Sequence, residues 1–252
     1  MAAGESKTER VPLTQTRILD AAMALADADG IAAFTMRRLA DQLGVEAMSI
    51  YHHLPGKNAI LDALAELVFV EIEAEVDGFG IPDADMPWVA TVRARILGAR
   101  RVMLLHRWMP GVMESRGVMT PTMVRYVDAT VGAMHAGGCS YDLVHHSLHA
   151  LGSTMFGFSQ ELMLDSGTPS GEDLTLMRDF VPHLAAMLEE VVHDDPDSTL
   201  GWCDDQTEFE FGLDVLLEGL ERRRVAETQP ASVVGVGSGA GAIPSVGPNS
   251  TH

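Results

Sequence analysis

The stretch TMRRLADQLGVEAMSIYHHLPGK, residues 35–57, constrains the fold more than any other part of the chain. Thr35 stands where a side-chain oxygen can cap a helix. Leu39, Ala40 and Leu43 fall on one face of that helix, and Gly44 sits where it needs a left-handed stop. Val45 turns the chain inward, and Glu46 to Leu54 has the length and composition of a second short helix. Ile50 and Leu54 can lie against the first helix, which leaves Ala47, Met48, Ser49, His52 and His53 facing away from it. Two short helices joined by a tight turn containing glycine make a helix-turn-helix, whose second helix fits a DNA major groove.

Charge restricts where nucleic acid could bind. The 252-residue chain has a formal charge of −19, which excludes a protein that coats nucleic acid non-specifically. Residues 1–57 carry six Lys or Arg against seven acids, whereas the remainder carries 11 against 29. Only the amino-terminal region could therefore face phosphate, and it would depend on a few well-placed donors. Cys139 and Cys203 lack metal-ligand or redox spacing and read as small core residues of a reducing compartment. No secretory leader and no apolar run of about 18 residues is present, so the expectation is a cytoplasmic protein without a membrane partner.

Taken in order, residues 1–11 read as a flexible arm. Thr14 can start a helix carrying Ile18, Ala22 and Leu25, which Gly30 stops. With the two helices above this makes a three-helix unit at 12–56. Lys57 to Asp77 reads as one long connecting helix with Ile60, Leu61, Leu64, Leu67, Val68, Ile72 and Val76 apolar. Residues 78–87 read as a loop. From Trp88 on, the pattern is all helical: Trp88 to about Met103, with Arg93, Arg95, Arg100 and Arg101 expected to pair with carboxylates; a short helix near Pro110; and Thr122 to Ala136. A long helix 140–164 opens at Ser140, and 172–192 is expected to kink or break at Pro182. Loops fall at 165–171 and 193–205, and a last helix runs from Gln206 to Arg224. Residues 226–252 have the composition of a disordered tail. The fold class is therefore all-α, a three-helix domain followed by a larger helical domain at 57–225.

The run TRILDAAMALADADGIAAFTMRRLADQLGVEAMSIYHHLPGKNAILDAL resembles the amino-terminal domain of the tetracycline repressor (TetR) family. The match rests on Gly30, Phe34-Thr35, Leu39-Ala40, Leu43-Gly44-Val45, Ile50-Tyr51-His52-His53 and Lys57. Residues 88–224 resemble, less closely, the ligand-binding and dimerisation domain of the tetracycline repressor's own branch, through RRVMLLHRWMPG and FEFGLDVLLEGLERR. The resemblance implies a homodimer formed by helices 140–164 and 206–224, a palindromic double-stranded DNA operator, and a small-molecule effector that tilts helix 57–77. The family's type member holds a magnesium–tetracycline chelate partly through histidines. Glu73 and Glu114 stand at those positions here, which disfavours tetracycline.

For DNA the candidate residues are Thr35, Arg37, Ala47, Met48, Ser49, Tyr51, His52 and Lys57. Thr35 and Lys57 sit at helix starts that favour phosphate. Arg37 suits a bidentate contact to guanine, and Ala47 and Met48 suit thymine methyl groups. In similar proteins the residues at Tyr51 and His52 donate to phosphates. For an effector the candidates are Met103, His106, Trp108, Met113, Met134, His149, Met155 and Phe156, an adaptable and largely apolar set. His145, His146 and His149 lack a third or fourth ligand at helical spacing, so no metal is assigned, and no cofactor is called for. An enzyme is disfavoured, since there is no Ser-His-Asp set, phosphate loop or metal motif. An interaction protein of the same fold without operator binding is the alternative that the near-neutral amino-terminal charge permits.

Overall fold

Local rules set the first helices. The computed structural model describes residues 12–78, 86–117, 119–157, 177–190 and 205–228. Thr14 caps α1 (Gln15–Asp29) by accepting a hydrogen bond from the Arg17 backbone N–H at 3.2 Å, and Gly30 ends it at φ 73°. Thr35 caps α2 (Met36–Leu43) in the same way, accepting from Arg38 N–H. Gly44 closes α2 at φ 67° and ψ 37°, with its N–H turned back to the carbonyls of Ala40 and Asp41. A side chain there would strain the backbone, which is why glycine serves as the stop.

The second helix of the motif, α3 (Ala47–Tyr51), is shorter than the expected 46–54. Glu46 supplies no side-chain cap, and beyond Tyr51 the N–H groups of His53 and Leu54 both turn to the Ile50 carbonyl. Pro55 disfavours the helical conformation at Leu54, so the turn cannot be extended. The remaining helices are α4 (Lys57–Gly78), α5 (Trp88–Leu105), α6 (Met109–Arg116), α7 (Pro121–Ala136), α8 (Tyr141–Gly157), α9 (Pro182–Glu190) and α10 (Asp205–Thr228). No strand occurs among the described residues. Pro182 is the first residue of α9, where its missing N–H costs nothing, so the break expected at that proline is present. The last helix runs past Arg224 to Thr228. The expected arm 1–11, tail from 229 on, and loops 79–85, 165–171 and 193–204 lie outside the described residues, as do 158–164 and Cys203.

Burial then ties the two domains together. One core runs without a gap from Ile18, Leu25, Phe34, Leu39 and Ile50 through Ile60, Leu64, Val68 and Ile72 of α4 to Met103, Met109, Val112 and Tyr126. A second core joins Trp88, Val92 and Ile96 of α5 and Met134 of α7 to Leu143 and Leu151 of α8 and Phe209, Leu213 and Leu217 of α10. Each fully buried side chain of this size is worth ~1.5–3 kcal/mol against exposure. Helix α4 is thus the shared wall of the small domain and the body.

Polar contacts lock α4 along its length. Asp62 accepts two bonds from Arg116 of α6, at 2.6 and 2.9 Å. Glu66 accepts from the backbone N–H and hydroxyl of Thr122 at the start of α7, and Glu73 pairs with Arg125 of α7 at 3.5 Å. Glu75 pairs with Arg101 of α5. Burial pushes the Glu66 carboxyl up, but hydrogen bonds from Thr122 and Thr120, with Arg125 nearby, outweigh it and leave the group below its usual range.

The arginines of α5 divide. Arg93 and Arg101 meet carboxylates as expected, Arg93 holding both Asp214 and Glu210 of α10 at 2.6 Å. Arg95 departs from that expectation. It is buried, donates to Thr130 Oγ1 and the Tyr126 carbonyl, and lies over the Tyr126 ring. Arg100, also buried, donates to Gln206 and stacks 4.2 Å from the Phe209 ring centre. The planar, weakly hydrated guanidinium tolerates such aromatic sites better than an ammonium would. Tyr126 is itself so enclosed that burial pushes its hydroxyl up to about 12.

Candidate functional site

The helix-turn-helix presents one outward face. Arg37, Met48, Tyr51, His52 and His53 are exposed, Met48 at 67%, while Ile50 and Leu54 face inward as expected. Thr35 is exposed at the start of α2; its hydroxyl oxygen accepts from Arg38 N–H, which leaves its O–H free to donate. Ser49 is half-buried beside this face.

Two candidates sit differently. Ala47 is half-buried and packs on the first core rather than standing free of the domain. Lys57 is turned inward as well. Its Nζ donates to the Phe34 carbonyl at 2.8 Å and sits 5.5 Å from the Phe34 ring centre, so its ammonium closes the segment that enters α2. Neighbouring arginines separate too. Arg38 is held by Asp29 Oδ2 at 2.5 Å and the Ala33 carbonyl at 3.2 Å. Arg37 extends into solvent and makes no such internal contact. A further brace comes from α1, where Arg17 donates to the Leu43 carbonyl at 3.1 Å, a cation at the carboxyl end of α2.

The effector candidates are not brought together around a single cavity. Met103 and Trp108 are buried in the first core, with Met113 and Met155 packed against it, whereas Met134 is fully buried in the second. His149 is exposed on α8, edge-on to His145 with ring centres 4.8 Å apart. Phe156 lies in α8, but its side chain is outside the described residues. His106 is buried edge-on to Trp108 of the first core, and its ring contacts Asp27 and Glu71. Asp27 and Glu71 were invisible as site residues, since nothing local marks either and they lie 79 and 35 residues from the histidine. Trp108 also lines an open cleft of about 500 Å³ between α1 and the α5–α6 junction, with Ala26, Asp27, Ile31 and Leu105. No group of three or more metal-ligating side chains occurs among the described residues, and no described helix is long and apolar enough to cross a membrane.

Comparison with known proteins places this geometry. Residues 18–64 match the family described as bacterial regulatory proteins, tetR family, and residues 81–224 match the tetracyclin repressor-like C-terminal domain. A HTH-type transcriptional regulator of Saccharopolyspora erythraea is 31% identical over 53% of this chain, and the chain spans about half of that relative, 54% of its length. The HTH-type transcriptional repressor DrrR1 of Streptomyces coeruleorubidus is 26% identical over 86% of this chain and 80% of its own. In fold, the Streptomyces coelicolor TetR family protein ActR, solved with (S)-DNPA, superposes with a TM-score of 0.64 at 23% identity, covering 85% of this chain and 100% of that one. The second match alone covers more than half of the 252 residues, and the chain belongs to the TetR family of transcriptional regulators.

Proposed function

We propose that this protein is a homodimeric transcriptional repressor that holds a palindromic operator and releases it when a small, largely apolar molecule binds its carboxyl-terminal domain. The observation that carries the reading is the set Arg37, Met48, Tyr51 and His52, exposed on the two helices of the helix-turn-helix while Arg38 and Lys57 are tied by bonds within the domain. On this reading α3 of each subunit enters a major groove, with half-sites ~34–36 Å apart, and the protein acts in the cytoplasm.

The second copy docks on α8 and α10. Those helices pack on each other and leave an outward groove of about 310 Å³ lined by Ala150, Thr154, Gly212, Val215, Leu216 and Gly219, small enough for close helix approach. Phe211 and Val215 stand beside it 67% and 51% exposed, an apolar face that a partner would cover. The effector enters among Met103, Met113 and Met155, where flexible thioethers can reshape. Movement of α6 or α7 there pulls on α4 through Arg116–Asp62 and Thr122–Glu66, and α4 carries it to the small domain.

The test is binding of the purified protein to its own upstream intergenic DNA against scrambled DNA over a salt titration. Preference for the native fragment that weakens with salt is expected. Arg37→Ala should lower affinity by about 5–150-fold, from a bidentate base contact of ~1–3 kcal/mol, with dimerisation unchanged. Unchanged binding by Arg37→Ala and Tyr51→Phe together would sink this surface.

A further inference from the structure

One buried polar group bridges the body and the small domain. His106 ends α5, is 6% exposed, and places Nδ1 2.8 Å from Asp27 Oδ1 and Nε2 3.0 Å from Glu71 Oε2. Asp27 belongs to α1 of the small domain and Glu71 to α4. Trp108, at the start of α6, donates its indole N–H to the same Asp27 oxygen at 2.6 Å and meets the imidazole edge-on. The α5–α6 junction of the body is thereby fastened to two helices that hold the helix-turn-helix.

The chemistry of the ring decides its charge. A neutral imidazole carries one N–H, so between two carboxylates it satisfies one and aims a lone pair at the other. Both contacts are hydrogen bonds only when both nitrogens are protonated. The titratable groups acting on the ring are Asp27 from α1 and Glu71 from α4; burial alone would favour the neutral form, and the two carboxylates outweigh it, so the pKa is raised. Asp27 and Glu71 are 31% and 49% exposed and the cleft beside Trp108 is open, so protons reach the cluster without unfolding.

We propose that His106 is a positioning residue for operator binding, its imidazolium clasping the α5–α6 junction to Asp27 and Glu71 and thereby fixing how the helix-turn-helix domain leaves the body. This rests on the operator-binding reading above. The clasp contributes fully below the ordinary histidine value of about 6.5 and is lost as pH rises through the raised folded value. It is closed while the ring is doubly protonated and both carboxylates are ionised, and it opens as pH rises through the raised histidine value.

The experiment compares full-length wild type, His106→Gln and Asp27→Asn. The first readout needs no DNA: an NMR titration of the histidine rings, with the His106 signal identified by its loss in His106→Gln. A midpoint above the ordinary histidine value that falls in Asp27→Asn is expected. A midpoint at or below the ordinary value, or a titration indifferent to Asp27→Asn, overturns the clasp. The second readout is affinity for the upstream fragment at pH 6 and pH 9. His52 and His53 are present in all three proteins, so the ratio of wild-type to variant affinity isolates His106. That ratio should change about fivefold or more between the two pH values, the lower end of common coupling strengths. Asp27→Asn repeats the comparison with the ring in place, so the result does not hang on the folding of one variant. A wild type that binds with a constant ratio overturns the positioning role alone. A wild type with an intact imidazolium that binds no DNA overturns the operator reading and the positioning role with it.

Discussion

Replacing Gly137 with alanine probes the tightest backbone approach in the body. Gly137 ends α7 at φ −73° and ψ 0°, a conformation any residue adopts, so backbone strain is not the issue. Space is: a Cβ there would lie 2.4 Å from Cβ and Cγ of Trp88 and 2.5 Å from its Cδ1. Carbon atoms in contact prefer ~3.5–4.0 Å, so the overlap exceeds 1 Å and falls on the root of a side chain. Trp88 cannot swing aside freely. It is 8% exposed, its indole N–H donates to Glu221 at 2.9 Å, and Glu221 is gripped by Arg224 at 2.6 and 2.7 Å. Relief requires the start of α5 to move off the end of α7. Overpacking of this kind costs ~1–3 kcal/mol, and straining the half-exposed indole–carboxylate bond adds about 1 kcal/mol. Loss of glycine's unfolded-state freedom returns ~0.4–1 kcal/mol. A net destabilisation of about 1–3 kcal/mol is expected. Urea denaturation at one fixed protein concentration should show a lower midpoint with an unchanged slope. Gly132→Ala on the same helix is the control, since an added Cβ there meets nothing within 4 Å; it should be neutral or up to ~1 kcal/mol stabilising. Equal stability of the two variants would refute the packing argument.

Three other outcomes are expected. Arg38→Ala removes a pair with Asp29 whose side chains are 45% and 40% exposed, so urea denaturation should show a loss within ~0–1 kcal/mol, and fluorescence anisotropy should show a smaller fall in operator affinity than for Arg37→Ala. Val215→Glu places a charge on the proposed dimer groove; sedimentation velocity should report monomers while circular dichroism keeps its helical signal. Glu66 is held below its usual pKa, so its contribution is present above about pH 4.3 and is lost as pH falls through its depressed value. The gap in urea midpoint between wild type and Glu66→Gln should therefore hold from neutral pH down to that region and close below it, and a gap that widens in acid would contradict the assignment.

Helix ends were legible in the sequence because capping and stopping are settled within four residues. Thr14, Thr35, Ser140, Gly30, Gly44 and Pro182 each act where their spacing says they should. The inward and outward sides of α2 and α3 followed from helical periodicity, except that Ala47 and Ser49, expected to face away, are half-buried, since small side chains sit on either side of a boundary. The effector set was less legible. Methionine and tryptophan at helical spacing describe any buried face, and spacing does not say that Met134 belongs to one core while Met103 and Trp108 belong to another.

The sequence by itself therefore determined an all-helical chain, a helix-turn-helix at 35–54 and an acidic body that leaves DNA only the amino-terminal domain, because these depend on neighbours along the chain and on total charge. Tertiary structure decided which of two adjacent arginines is tied to Asp29, that the Lys57 ammonium turns inward, and that Asp27, Glu71 and His106 share one cluster. Each is a choice between partners far apart in sequence. Long side chains reach several of them from one backbone position, and only the packing of α1, α4 and α5 selects the one that is met.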